Sequence, residues 1–400
     1  MRQQKSIEWF SGDRVLWIII ATLAIISVLV VYSSTAKMAY DTSASSSTSH
    51  YLFTQLTYLL VSLVGIFFTH KIDARYFYKW APVAMIVALF LTVLAYALGY
   101  STNGAARWLP IGGFNLQPSE ILKVTTLLVL ARSLAVRQKV IETLKITPSF
   151  NPLKWLTPAQ KKIWREGTFP ILMPVAVGCG VIITAHTSSA ILLGAVSFIV
   201  MMIGRVKWSE LGRIMLWVAL FGALYYCLDM GRSETASGRV GTWYEIWTTD
   251  RTQVDIHNLA DTDRSMIAIH NGALLGEGAG QSAMRVELIH PESDYAFALF
   301  VEEYGIILAL VLMMLYLWLF FRAIEICREC RTAFPALMTL GVSAMITSQA
   351  LLHIMVSINL IPETGQTLPL ISRGGSSLLF TAIALGMVLS VSRQNQKEKR

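Results

Sequence analysis

The chain has 400 residues, of which 54% are hydrophobic and only 14% are charged. A soluble domain usually has about 25% charged residues, so the composition excludes an ordinary soluble enzyme. The formal net charge is +8. Because the basic residues are spread over separate short loops, this charge disfavours nucleic-acid binding and indicates attraction to anionic lipid.

Apolar segments recur from one end of the chain to the other, and crossing a bilayer takes about 18 such residues or more. We therefore predict an all-α, polytopic membrane protein that forms a single membrane domain over residues 1–400. The predicted transmembrane helices, about ten in number, lie near residues 15–34, 51–69, 80–100, 117–135, 169–185, 189–204, 213–230, 295–321, 333–358 and 374–392.

Lysine and arginine are concentrated in alternate loops, such as those near residues 71–79, 137–165 and 205–213. Cytoplasmic loops carry an excess of these residues, so we predict that both termini are cytoplasmic. The long acidic segment 231–294 then forms a large extracytoplasmic loop between helices 7 and 8. Its apolar and aromatic residues predict partial order, and loops of this length are usually functional or disordered.

Predicted helix 4 opens with QPSEILKV, which places Glu120 and Lys123 on one helix face. Ionisable residues at membrane depth are functional candidates. The two residues form a structural ion pair or line a polar substrate cavity, and these interpretations are compatible. In the short outer loop before them, Arg107 could bind an anionic group. Trp108 could stack on a sugar or anchor at the membrane interface, as tryptophans commonly do.

The glycine-rich segment GALLGEGAGQSAMR, residues 272–285, lacks the Gly-Lys-Ser/Thr ending of a phosphate-binding P-loop. Tight turns and close backbone approach explain its glycines better, although Arg285 at its end could bind phosphate. In predicted helix 9, Gln349 and His353 share a face. This spacing indicates hydrogen bonding between helices or a catalytic histidine.

The segment NLIPETGQTLPLISRGGSS, residues 359–377, contains two prolines and three glycines at membrane depth. Irregular backbone is tolerated there only where protein or a watery cavity surrounds it, so the segment is a candidate lining of a site. Arg373 is costly in this position unless it is paired. Glu363 or an anionic ligand could serve as its partner.

The segment HPESDYAFALFVEEYG, residues 290–305, places four carboxylates at the entrance to predicted helix 8. Asp294 lies at the helix N-terminus, where it could simply cap the helix. Glu302 and Glu303 lie deeper, and we expect one of them to pair with a basic residue. Glu292 is a candidate for supporting Asp294 or for facing a metal ion, because Mg²⁺ prefers oxygen ligands.

Three ordered motifs of the chain are NGAARWL followed by LQPSEILK, GEGAGQS followed by PESDYAFALFVEEYG, and PETGQTLPLISRGGSS. They resemble the motifs of the SEDS (shape, elongation, division, sporulation) family of peptidoglycan polymerases, which includes FtsW and RodA. The resemblance covers nearly the whole chain. It implies polymerisation of lipid II into a nascent glycan chain at the outer face of the bacterial cytoplasmic membrane. It also implies a class B penicillin-binding transpeptidase and other division or elongation membrane proteins as partners.

The resemblance implies roles for individual residues. The family's essential loop aspartate matches Asp294, which would be the general base of an inverting glycosyltransferase. Positive charge from arginine, lysine or a divalent cation such as Mg²⁺ would stabilise the departing pyrophosphate. The residues expected to bind substrate are Arg107, Trp108, Glu120, Lys123, Arg285 and Arg373. The residues expected to support them are Glu292, Gln349 and His353.

The chain departs from the family pattern at several positions. Two residues are missing between the Pro-Glu pair and Asp294, and arginine replaces the usual lysine at position 285. Arg373 replaces tyrosine and His353 replaces asparagine, while AHTSS at 185–189 replaces the usual QPDLG, so that no role is carried over there. These changes affect substrate contacts more than the reaction.

The opening GDRVLWIIIATLAIISVLVVYSS is more similar to FtsW than to RodA, which favours septal synthesis during cell division. The alternatives are a RodA-like polymerase of elongation, a lipid II flippase, and a non-enzymatic scaffold that recruits or activates the transpeptidase. The polar cavity and broken helix would also suit a flippase, whereas a scaffold would tolerate neutralisation of the loop carboxylates.

Overall fold

A computed structural model describes residues 10–34, 48–102, 105–111, 114–151, 153, 155–184, 186–227, 233–248 and 259–399. Most of these residues are helical. The helices are α1 Arg14–Ser34, α2 Thr48–Thr69, α3 Ala74–Leu98, α4 Pro118–Val136, α5 Pro158–Ile183, α6 Thr187–Ile203, α7 Trp208–Cys227, α8 Ser233–Thr248, α9 Asp261–Gly272, α10 Met284–Glu287, α11 Ala296–Arg328, α12 Ala333–Ser357 and α13 Gly375–Lys399.

Each of the ten predicted spans overlaps one helix, α1 to α7 in order and then α11 to α13. In the described part of the chain, six helices are long and apolar enough to cross a membrane, namely α1, α3, α5, α11, α12 and α13. Helix α4 differs because Glu120, Lys123 and Arg132 reduce its apolar content, and α6 has only 17 residues. The number of membrane crossings therefore stays a prediction.

The predicted helical fold is confirmed in its main features, and a small antiparallel sheet that was not predicted lies between α3 and α4. Its strands are β1 Tyr100–Thr102, β2 Ala105–Ile111 and β3 Phe114–Leu116, with β2 in the middle. The sequence carries the signal, because an Asn-Gly pair at 103–104 and a Gly-Gly pair at 112–113 separate the strands. Such pairs favour two-residue hairpin turns.

The centre of the molecule is formed by α12 and α13. In each of them 78% of the most apolar window is buried, whereas the corresponding share is 28% in α3, α5 and α11. The outer helices therefore keep apolar faces available for lipid. Within the segment 231–294, the apolar anchors are found in helices, and α9 packs against α11.

Helix α11 is interrupted near its beginning at Gly305, whose φ of 81° and ψ of 168° are not helical. The glycine-rich segment 272–285 satisfies the backbone groups at this break. The amides of Glu277 and Gly278 donate to the carbonyls of Glu302 and Glu303 at 2.9 and 3.0 Å. Irregular backbone inside a membrane protein requires such internal partners.

The two segments approach so closely at the break that only glycine fits. A Cβ atom at Gly276 would lie 2.3 Å from the carbonyl oxygen of Glu303, and one at Gly305 would lie 2.4 Å from the carbonyl oxygen of Leu274. Both glycines also have a φ of +81°, which disfavours any side chain. These contacts explain structurally why Gly276 and Gly305 are glycines.

Two buried carboxylates fix the same break. Glu302 accepts hydrogen bonds from Asn271 Nδ2 at 3.1 Å and from the Met284 amide at 3.3 Å, and also from the Ser282 hydroxyl. Glu303 accepts from the Ser33 hydroxyl of α1. Neither carboxylate forms a salt bridge within the described residues. Neutral donors from nearby segments satisfy the carboxylates, so the expected direct ion pair with a basic residue is not found among the described residues, although the charge of Arg285 acts on Glu303 from further away.

The variant Gly276→Ala tests the close contact at the break. The added methyl group must displace backbone, so we expect a loss of about 1–3 kcal/mol in stability, measured as a lower unfolding temperature by tryptophan fluorescence in detergent. Gly222→Ala in α7 is the matched control, because its added Cβ has no neighbour within 4 Å and alanine favours helix. Equal unfolding temperatures for the two variants would contradict the assignment.

Candidate active site

Asp294 lies in the turn 291–294, directly before α11. The amides of Ser293 and Asp294 donate to the carbonyl of His290 at 3.2 and 3.1 Å. The N-cap residue of α11 is Tyr295, whose side chain makes no capping hydrogen bond, and the Asp294 side chain does not occupy the cap position. The interpretation of Asp294 as a helix cap is therefore wrong, and its partly buried carboxylate is left available for another task.

The surroundings of Asp294 favour its protonated form. Burial raises the pKa of the Asp294 carboxyl above its ordinary value, and the negative charges of Glu363 and Glu292 raise it further. The charge of His290 and a hydrogen bond with the Ser293 side chain oppose this shift. A base with a raised pKa is a stronger proton acceptor once it is ionised.

The irregular segment 358–374 holds the turn in place. The amide of Arg373 donates to the carbonyl of Glu292 at 2.8 Å, and the hydroxyl of Ser372 donates to the carbonyl of Ser293 at 2.8 Å. The prediction that this segment is non-helical is confirmed, and its contacts place it directly against Asp294.

Glu363 joins the irregular segment to the large loop. Its carboxylate accepts a hydrogen bond from the Tyr295 hydroxyl, and its carbonyl accepts from Arg239 Nη1 of α8 at 3.3 Å. Trp243, also on α8, donates to the carbonyl of Asn359 at 3.1 Å. Helix α8 therefore lies over the irregular segment.

The predicted ion pair of α4 is present. Lys123 Nζ lies 2.9 Å from Glu120 Oε1, with 2% and 12% of the two side chains exposed. Lys123 Nζ also donates to Gln349 Oε1 at 3.4 Å, and Gln349 Nε2 donates to the carbonyl of Thr367 at 2.9 Å. A cavity is lined by Glu120, Lys123 and Gln349 together with apolar residues of α12 and α13. Glu120 and Lys123 thus form an ion pair and also line a cavity, as both interpretations of the sequence allowed.

His186, between α5 and α6, contacts the irregular segment close to Lys123 and Gln349, although no role was predicted for it from the sequence. Its Nε2 lies 3.2 Å from the carbonyl of Gly365, and its Nδ1 lies 3.0 Å from the hydroxyls of Ser188 and Ser189. Burial, followed by the charge of Lys123, lowers the pKa of His186 to about 4, so the ring is neutral at pH 7. The polar run HTSS at the start of a helix was the signal that could have found it.

Three further residues were predicted to bind substrate, namely Arg107, Trp108 and Arg285. Arg107 and Trp108 lie on β2, close before α4, and the side chain of Arg107 is outside the described residues. Arg285 donates through Nη1 to the carbonyl of Gly280 in the glycine-rich segment, and its charge acts on Glu303. Substrate binding by these three residues stays a prediction, and the contacts of Arg285 favour a structural task.

A metal site is not formed by the side chains that the structure describes. Among them, no group of three or more His, Cys, Asp and Glu residues is arranged to hold a metal ion. Mg²⁺ is usually held by one or two carboxylates together with waters and substrate phosphates, so Glu292 and Asp294 alone neither form nor exclude such a site. No step of the reaction is therefore derived through a metal, and the involvement of Mg²⁺ stays a prediction.

Comparison with known proteins finds relatives over nearly the whole chain. The sequence model of the cell cycle protein family FtsW, RodA and SpoVE matches residues 13–397. The probable peptidoglycan glycosyltransferase FtsW of Burkholderia thailandensis is 26% identical over 390 residues, which cover 95% of this chain and 78% of that protein. The stage V sporulation protein E of Bacillus subtilis is 27% identical over 393 residues, which cover 96% and 98%.

Solved structures share the fold. A chain of a peptidoglycan synthase complex that coordinates polymerization and crosslinking superposes with a TM-score of 0.69 at 20% identity, covering 97% of this chain and 99% of that one. The rod shape determining protein RodA of Thermus thermophilus gives a TM-score of 0.62 at 21% identity, with 97% and 98% covered.

The family match extends over more than nine-tenths of the sequence, and the apolar helices agree with a membrane location. The resemblance predicted from the motifs is therefore confirmed. The chain belongs to the SEDS family of cell cycle proteins, which includes FtsW, RodA and SpoVE, and it is a multi-pass protein of the bacterial cytoplasmic membrane.

Proposed function

We propose that the chain is a peptidoglycan glycosyltransferase that polymerises lipid II, with Asp294 as its general base. The observation that carries this proposal is a partly buried carboxylate with a raised pKa, held in a turn and not used as a helix cap. Relatives named probable peptidoglycan glycosyltransferase FtsW support the same activity.

The proposed reaction is a single displacement. Asp294 removes the proton of the acceptor hydroxyl while that oxygen attacks the anomeric carbon of the donor sugar. The bond from this carbon to the lipid pyrophosphate breaks, the pyrophosphate leaves with the electron pair, and the configuration is inverted. General base catalysis of this kind contributes about 10²–10⁴-fold, and cationic side chains such as Arg373 and Lys123 would stabilise the leaving group.

The proposal includes a membrane topology. With ten crossings and both termini in the cytoplasm, the segment 231–294 and the turn of Asp294 lie at the outer face. The basic loops near 137–165 and 205–213 support this orientation. A lipid-linked donor would then present its pyrophosphate at the outer interface, beside the turn.

A septal role in cell division is the form of the function that we favour, because several relatives carry the name FtsW. Similarity to SpoVE and to RodA structures keeps elongation and sporulation as alternatives. The structural neighbour from a synthase complex supports a crosslinking partner, for which we propose a class B penicillin-binding transpeptidase.

The variant Asp294→Asn keeps the size of the side chain and removes the base. We expect the purified variant to fold and to lose lipid II polymerisation by about 10²-fold or more, measured as labelled glycan on gels. Glu277→Gln is the matched control, because Glu277 is exposed in the neighbouring glycine-rich segment. Normal glycan synthesis by Asp294→Asn would sink the assignment, and lipid II flipping without chain growth in liposomes would favour a flippase.

The pH dependence of the rate tests the environment of Asp294. A general base must be ionised, so the rate falls as the pH falls through its pKa, and the raised pKa places this fall at higher pH than for an exposed aspartate. Glu292→Gln removes a negative charge that raises the pKa, so we expect the acid limb of kcat/KM to move to lower pH. An unmoved limb, or one at higher pH, would contradict the proposed environment.

A further inference from the structure

Gln366, in the irregular segment, is held between His353 of α12 and His186, which lies between α5 and α6. Its carbonyl lies 2.7 Å from His353 Nδ1. Its side-chain nitrogen lies 3.3 Å from His186 Nδ1 and donates to the Ser189 hydroxyl at 2.7 Å. His353 is 1% exposed and Gln366 is 4% exposed. The contacts are therefore made inside the protein, where unpaired polar groups are costly.

The partners of His353 determine its protonation state. A carbonyl oxygen can only accept a hydrogen bond, so His353 Nδ1 carries the proton that is donated to Gln366. His353 Nε2 accepts a hydrogen bond from the amide of Phe297 at 3.3 Å, and it must therefore carry a free lone pair. The ring is neutral and bonded at both nitrogens.

The bond to Phe297 ties this ring to the turn of Asp294. Phe297 is the second residue of α11, and the first four amides of a helix lack partners within the helix. His353 supplies such a partner for the amide of Phe297, which lies three residues after Asp294 in the sequence. Because the side chain of the N-cap residue Tyr295 makes no capping hydrogen bond, the bond from Phe297 to His353 helps to fix where α11 begins.

The opposite side of the turn is tied to the same irregular segment. Ser372 donates to the carbonyl of Ser293, and the Arg373 amide donates to the carbonyl of Glu292. His353 bonds the irregular segment at Gln366 and α11 at Phe297. The residues before and after Asp294 are therefore both connected to the irregular segment, the residues after it through the His353 ring. Loss of this ring would release one side of the turn and leave the other side attached.

We propose that His353 is a positioning residue for Asp294, which acts by bridging Gln366 and the first turn of α11. The inference rests on the proposed function, because it concerns the geometry of that base. Asparagine carries an amide nitrogen that donates and an amide oxygen that accepts on one planar group, so it can supply both kinds of hydrogen bond that the His353 ring makes. Leucine removes both hydrogen bonds and leaves the Gln366 carbonyl and the Phe297 amide without this partner.

The test compares purified His353→Leu and His353→Asn with the wild type in lipid II polymerisation. A displaced catalytic group costs up to about 10²-fold. We therefore expect His353→Leu to lower kcat by about 10- to 100-fold with KM changed by less than about 3-fold, and His353→Asn to restore most of the rate. His70→Leu is the control, because His70 is also fully buried but follows α2, outside the site.

A normal kcat in His353→Leu, an equal loss in His353→Asn, or the same kinetic loss in His70→Leu would overturn the proposal. Hydrogen–deuterium exchange over residues 291–300 gives a reading that needs no activity. We expect faster exchange in His353→Leu only, and equal exchange in all variants would overturn the proposal. If the wild type makes no glycan, the proposed function fails, and the exchange result alone decides whether His353 positions the turn.

Discussion

The break of α11 at Gly305 is the constraint on which the outer part of the molecule depends. A helix that stops inside a membrane protein exposes backbone groups that must find partners, and here the glycine-rich segment supplies them. Glu302 adds a second requirement, because a buried carboxylate costs several kcal/mol unless it is bonded. Asn271, Ser282 and the Met284 amide satisfy it. The short outer part of α11 is thereby fixed, together with the turn that precedes it.

From this fixed end the polar contacts continue through the irregular segment 358–374 towards the ion pair of α4. The segment touches the turn of Asp294 on one side, and Gln349 connects its Thr367 to Lys123 on the other. Rigid placement of this kind is what catalysis by a single carboxylate requires, since general base action depends on hydrogen-bond geometry. The turn of Asp294 and the buried ion pair of α4 are thus connected by a segment of irregular backbone.

The sequence predicted features that depend on local spacing. Glu120 and Lys123 are three residues apart, and helical periodicity alone brings them together. Local spacing could not predict the partners of Glu302, because these lie 18 to 31 residues away in the sequence. It also could not predict the contact of His186 with Gln366, because these residues are 180 positions apart. Arg285 was assigned to substrate from its charge, whereas its contacts lie within the glycine-rich segment. The hairpin between α3 and α4 was missed although its turn residues were visible.

The central claim is that the reacting sugar lies at the turn of Asp294. Electron cryomicroscopy of the Asp294→Asn chain in lipid nanodiscs with lipid II would test this most directly, because loss of the base should retain unreacted substrate. The account predicts that the junction of sugar and pyrophosphate lies beside residue 294, with the phosphates close to Arg373 or Lys123. Lipid II bound at the opposite membrane face, or on the outer surface away from this turn, would contradict it.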